Sequence, residues 1–173
     1  MKLDMNRLNR ILSYIFEDIK NLSDEDRDLP IRWSVMHMFS TSQLAALVAL
    51  KRDLNPELLG IIAALHDIGA VRTKSRKNHA KNASKYVYEI IELYNSTLRG
   101  NLSVITEDEI NIIHNAVINH SDKGDILENP YAEAMKDVDS LDRFLHGIET
   151  DGDHVAHLNN LLDLFDLKVS LIK

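Results

Sequence analysis

Leu58-Leu59-Gly60-Ile61-Ile62-Ala63-Ala64-Leu65 runs without a break into His66-Asp67-Ile68-Gly69. Eight apolar residues with no polar interruption predict a buried helix, and the His-Asp pair falls at its end. A carboxylate taken out of water must be paired or coordinate a cation. His37 lies upstream and Asp139 downstream, in Val138-Asp139-Ser140-Leu141-Asp142. Two imidazoles and two carboxylates of this kind make a metal site the expectation. Gly69 reads as the turn residue that stops the helix.

Outward from this stretch the period stays helical. Leu8, Ile11, Leu12, Ile15, Phe16 and Ile19 recur at threes and fours and predict a helix over residues 4–20. A polar break from Asp24 to Pro30 precedes a longer helix over 31–50, with Met36, Phe39, Leu44, Leu47 and Val48 expected inward. The third helix opens with Asn55 as cap, Pro56 at the first helical position and Glu57 matching the dipole, and it ends near His66. Residues 69–78 read as a basic loop, 80–94 as a fourth helix, and Thr106-Glu107-Asp108-Glu109 as a capping box opening a fifth over 110–119. After a polar loop over 121–130 come a short helix, one over 137–146 that begins near Asp139, and a closing helix over 154–172. The expectation is an all-α helical bundle forming one domain over 1–173, with its core at about 32–146 and the first and last helices packed on it.

Composition narrows the function. Cysteine is absent, so disulfides and thiolate metal sites are excluded, and any metal must be held by imidazole and carboxylate. Such a donor set suits Mn, Fe, Co, Ni or Zn, with Mg a further option, and suits Ca poorly. No apolar run approaches the roughly 20 residues that span a bilayer, and the N-terminus lacks the apolar centre of a signal peptide, so a cytoplasmic protein is expected. A net charge of −7 disfavours general nucleic-acid binding. Against that balance, Arg72, Lys74, Arg76, Lys77, Lys81 and Lys85 stand together with no acidic residue among them.

The order His37, then His66-Asp67, then Asp139 resembles the HD-domain superfamily of metal-dependent phosphohydrolases, and the likeness covers about residues 32–146. The His-Asp-Ile-Gly run carries it most specifically. Ala45 after His37 and Val138-Asp139-x-Leu141-Asp142 add to it. The resemblance implies that His37, His66, Asp67 and Asp139 bind one divalent transition metal, with Asp67 also orienting the attacking water. Some members bind two metals through further histidines. His79 and His120 stand where those occur, as candidates for a second metal or a phosphate contact. The chain departs from that pattern at Ala70, where many members carry Lys, and at Ser121, where two-metal members often have a second His. His114 is expected to pack or lie at the surface, and His146, His154 and His157 to be peripheral.

A phosphohydrolase needs cations where negative charge develops. Lys74, Arg76 and Lys77 follow the His-Asp pair closely, and Lys123 follows His120; all four are candidate substrate-binding residues. The expected partner is a small phosphorylated substrate, a nucleotide or related ester or anhydride, with no membrane; a homo-oligomer is left open. Two other readings stand beside the enzyme: a metal-binding regulatory module with little or no turnover, and a nucleic-acid-directed protein, which the acidity disfavours.

Overall fold

The computed structural model describes residues 3–169. Eight helices and no strand appear among them: α1 (Asn6–Ile19), α2 (Ile31–Lys51), α3 (Pro56–Leu65), α4 (Ile68–Thr73), α5 (His79–Ser96), α6 (Glu107–Asn119), α7 (Pro130–Leu145) and α8 (Asp153–Leu164). None is long and apolar enough to cross a membrane.

The apolar run is α3, and every residue from Glu57 to Leu65 is buried. Asn55 Oδ1 accepts from the Glu57 and Leu58 amides, so the cap expected from sequence starts the helix. Helices α1, α2, α6 and α7 all contact α3, which makes it the axis of the core. Five large aliphatic side chains (Leu58, Leu59, Ile61, Ile62 and Leu65) are buried along it. Each contributes about 1.5–3 kcal/mol. The polar start of this helix is also satisfied. Arg7 Nε donates to Glu57 at 2.7 Å, and the same guanidinium grips Glu109 at 2.9 Å, tying α1 to α3 and α6. Glu109 also completes the Thr106 capping box of α6.

Several expectations need correction. The inward face of α2 carries His37, Met38, Thr41, Ser42, Ala45, Val48 and Ala49, whereas Met36, Phe39 and Leu47 are 50%, 40% and 48% exposed. Helix α2 packs along α3, and the small residues on that face let the two approach, turning the bulkier ones outward. Residues 69–78 are not a continuous loop: α4 occupies the first part, and Gly69 lies inside it rather than stopping α3. A Cβ at Gly69 would sit 2.0 Å from the His79 carbonyl oxygen, so glycine is there for the close approach of α5. Helix α7 is one element from Pro130, capped by Asn129, so Asp139 stands in mid-helix and not at a helix start. The last helix ends at Leu164, short of the expected 154–172; positions 170–172 lie outside the described residues.

The acidic stretch of α7 can be buried because each carboxylate has a partner. Asp137 takes Arg52 at 2.6 Å and His157 Nδ1 at 2.5 Å, fastening α8. His157 Nε2 faces the Lys123 carbonyl at 2.9 Å. Both ring nitrogens thus meet acceptors, which favours the imidazolium, and the bond to Asp137 raises the His157 pKa above 6.5. Its stabilisation is therefore fully present below about pH 6.5 and is lost as pH rises through the raised folded value. Denaturant unfolding should find His157→Asn less stable than wild type by about 1.5–3 kcal/mol near pH 6, with a smaller gap near pH 9. A gap that widens with pH would contradict this assignment.

Candidate metal centre

Three histidines sit at helix ends, two on carbonyls that a helix C-terminus leaves free and one on a carbonyl of the preceding turn. His66, at the C-terminus of α3, donates Nδ1–H to the Ala63 carbonyl at 2.7 Å. His120, at the C-terminus of α6, does the same to Val117 at 2.7 Å. His79, opening α5, donates to the Arg76 carbonyl at 2.9 Å. A carbonyl only accepts, so Nδ1 must carry the proton and Nε2 is left with a lone pair. His37 reaches the same state through a carboxylate, donating Nδ1–H to Asp142 Oδ2 at 2.6 Å. Fixing the remote nitrogen in this way orients an imidazole and raises its basicity as a ligand.

The four Nε2 atoms then meet in pairs, His37 with His66 and His79 with His120, each at 3.0 Å. Asp67 stands between the pairs. Its Oδ2 is 3.7 Å from both His37 and His66 Nε2, and its Oδ1 is 3.0 Å from His79 and 3.5 Å from His120. Asp139 places Oδ1 3.3 Å from His37 Nε2, while its Oδ2 accepts from Lys123 Nζ at 2.7 Å. Ser121, standing where two-metal members of the resembled superfamily often have a second His, still turns its hydroxyl to the second pair, 3.1 Å from His79 Nε2 and 3.3 Å from His120 Nε2.

Facing lone pairs repel unless a proton or cation lies between them. At the first pair the surrounding carboxylates favour a proton on His37. Burial acts to lower the His37 pKa, but its bonds to Asp139 and Asp142 push it up to about 10. His66, buried and beside that charge, is pushed down to about 4. Asp67 and Asp139 stay well below the usual carboxylate range despite their burial, Asp67 through the imidazoles that surround it and Asp139 chiefly through Lys123. The donor set also fits a divalent cation. Two ligands at about 2.1 Å from one ion and at right angles lie about 3.0 Å apart, which matches the imidazole pairs. His37, His66 and Asp139 form one group able to hold an ion, and His66, Asp67 and His120 another.

The centre opens into a cavity of about 830 Å³. Leu29, Pro30, Trp33, Met36 and Ile148 give its lining an apolar part, and Arg32, Arg76, Arg143 and His154 also line it. Trp33 stacks on His37 at 5.6 Å with 13° between planes.

Not every expected residue is at this site. Lys123 is, held inside by Asp139, and Arg76 lines the cavity. Lys74 is turned away, with its Nζ on the Glu25 carbonyl at 3.1 Å, and Lys77 is exposed outside the cavity lining. The cause is Asp28, whose carboxylate takes the Arg76 amide at 2.6 Å and the Ser75 hydroxyl at 2.9 Å. Left-handed residues at Lys74 and Asn78 bracket that turn. Of the rest of the basic run, Arg72 is paired to Asp18 and Lys81 to Asp122. His114 is half-buried, bonds Ser84 and packs on Tyr88, in keeping with a packing role. His154, expected to be peripheral, faces the cavity. Trp33, Arg32 and Arg143 were missed. Arg143 had a usable signal, standing four residues after Asp139 and so on the same face of α7.

The family model for the HD domain matches residues 35–144. The chain belongs to the HD domain family, which commonly comprises metal-dependent phosphohydrolases acting on small phosphate substrates. Searches of curated proteins and of solved structures each gave no significant match.

Proposed function

We propose that this protein is a metal-dependent phosphohydrolase acting on a nucleotide or a related small phosphate ester or anhydride. The observation that carries the reading is the Asp67 carboxylate standing between two histidine pairs whose lone pairs converge at the floor of a ligand-sized cavity. His37, His66, Asp67 and Asp139 would hold one divalent cation; His79, His120 and the other oxygen of Asp67 would hold a second. Such ions supply Lewis acidity toward a phosphoryl oxygen and lower the pKa of a water molecule.

The chain's own residues do the rest. Asp142 keeps His37 in the ligating tautomer, and Lys123 holds one oxygen of Asp139 so that the other points to His37. Lys123 also brings positive charge to the floor of the site, where phosphoryl oxygens gain charge in the transition state. Arg76 stands at the cavity wall as a phosphate donor, and the apolar part of the lining, with Trp33, offers a face for the organic part of the substrate.

Chelator-stripped protein, reloaded separately with Mn, Fe, Co, Ni, Zn and Mg, should hydrolyse members of a nucleotide and p-nitrophenyl phosphate panel with at least one metal. Protein that retains its ion and hydrolyses nothing would favour the binding-module reading. Within the active form, Arg76→Ala should lower kcat/KM roughly ten- to a hundredfold, the worth of one charge-assisted hydrogen bond. It should do so mainly through KM, with metal content unchanged. Lys77→Ala should match wild type, because that side chain lies outside the cavity. Equal losses from both would contradict the placement of the loop.

A further inference from the structure

Arg143 is a half-buried cationic group that the proposed hydrolysis does not use. Its Nε is buried and has no hydrogen-bond partner among the described residues. The Nε of Arg72 shares that condition, but its guanidinium is paired with Asp18, outside the cavity. Arg143 lines the cavity, four residues beyond Asp139 on α7, so it stands roughly 6 Å further along the helix axis on the same face. A guanidinium donor removed from water without an acceptor is costly to keep, unless a ligand completes it.

The surroundings say what that ligand is. The carboxylates on the cavity lining are Asp67 and Asp139, both at the centre. Away from them the formal charges on the lining are Arg32, Arg76 and Arg143, all positive. A planar guanidinium fork matches two phosphate oxygens at once. His154 stands on the same side of α7: its Nδ1 is 2.9 Å from the Ser140 hydroxyl, which itself donates to the Lys136 carbonyl. The serine therefore accepts from Nδ1–H, and His154 Nε2 is left as an acceptor for a ligand hydroxyl or N–H.

We infer that Arg143, with Arg32 and Arg76, forms a second anion subsite that holds a phosphoryl group adjoining the one at the metal centre, so that the ligand carries a diphosphate moiety. The inference rests on the centre taking a phosphoryl group, as proposed above.

Calorimetric titration of the Mn-loaded protein with methylphosphonate and with the non-hydrolysable methylenediphosphonate separates the two claims. Wild type should bind the diphosphonate at least about tenfold more tightly than the monophosphonate. Arg143→Ala should remove most of that advantage while leaving methylphosphonate affinity and bound Mn unchanged, and Arg143→Lys should restore part of it. Comparing variant with wild type cancels any general affinity of the diphosphonate for Mn. Circular dichroism melting checks that the variants fold, and should Arg143→Ala fail to do so, Arg143→Gln takes its place. An unchanged preference in the folded variant, or none in wild type, overturns the subsite and leaves the centre standing. Failure of wild type to bind either phosphonate while holding Mn overturns the reading of the centre itself.

Discussion

Asp67→Ala should abolish turnover, with kcat falling on the order of a thousandfold or more, and should strip metal from both halves of the centre. Its carboxylate is the group shared by the two histidine pairs, with one oxygen 3.7 Å from His37 and His66 and the other 3.0 Å from His79. Truncating it removes an anionic ligand from each side at once, and a Lewis acid there is worth several kcal/mol of transition-state stabilisation. Asp67→Asn is the sharper variant. It preserves size and one acceptor oxygen but loses the negative charge, so both metal content and kcat should still fall. Metal analysis and steady-state kinetics on the same preparations check this, with far-ultraviolet circular dichroism confirming the fold. An Asp67→Ala protein that keeps its metal and its rate would show that the centre lies elsewhere.

Gly69→Ala should be the most damaging conservative change outside the ligand set. A Cβ there would meet the His79 carbonyl oxygen at 2.0 Å and the Ala83 amide nitrogen at 2.7 Å, both backbone atoms of α5. Neither can move without shifting the helix that begins at His79. Overpacking of this kind costs about 3 kcal/mol or more, so the melting temperature should drop by about 6–12 °C. Because His79 belongs to the second imidazole pair, the variant should also lose metal on that side. Gly60→Ala is the comparison: its Cβ would meet the Leu8 Cδ2 methyl at 2.7 Å, the end of a flexible side chain, and the loss should be smaller. Equal melting temperatures for Gly69→Ala and wild type would contradict the packing described.

What the sequence displays well is local chemistry. Asn55 with Pro56, and Thr106 with Glu109, announce two helix starts because a cap depends on a few adjacent residues. The His66-Asp67 pair announces a centre because burying it without a cation or partner is costly. The convergence of His79 and His120 on Asp67 was reachable as well, though through family resemblance and not from spacing. What the sequence conceals is set by tertiary geometry. Glycine is usually a helix terminator after an apolar run, yet Gly69 is helical, since the approach of α5 depends on residues ten positions away. Asp137, Asp139 and Asp142 look like a solvated helix start. Each is instead buried against a partner from another element: Arg52, Lys123 and His37. Lys74, Arg76 and Lys77 looked equally able to reach a phosphate, but a single carboxylate, Asp28, fixes the turn that presents Arg76 and turns Lys74 aside. Arg143 carried one local signal, its place four residues after Asp139 on α7, but only the cavity shows what that face meets.

The central claim is that divalent cations sit on either side of Asp67, and anomalous diffraction from crystals soaked in Mn tests it most directly. One anomalous peak is expected among His37, His66, Asp67 and Asp139 and a second among Asp67, His79 and His120, each at coordination distance from Nε2 atoms, about 2.0–2.3 Å. Well-ordered, Mn-soaked crystals showing no peak beside His66, with the His37 and His66 Nε2 atoms still 3.0 Å apart, would contradict it.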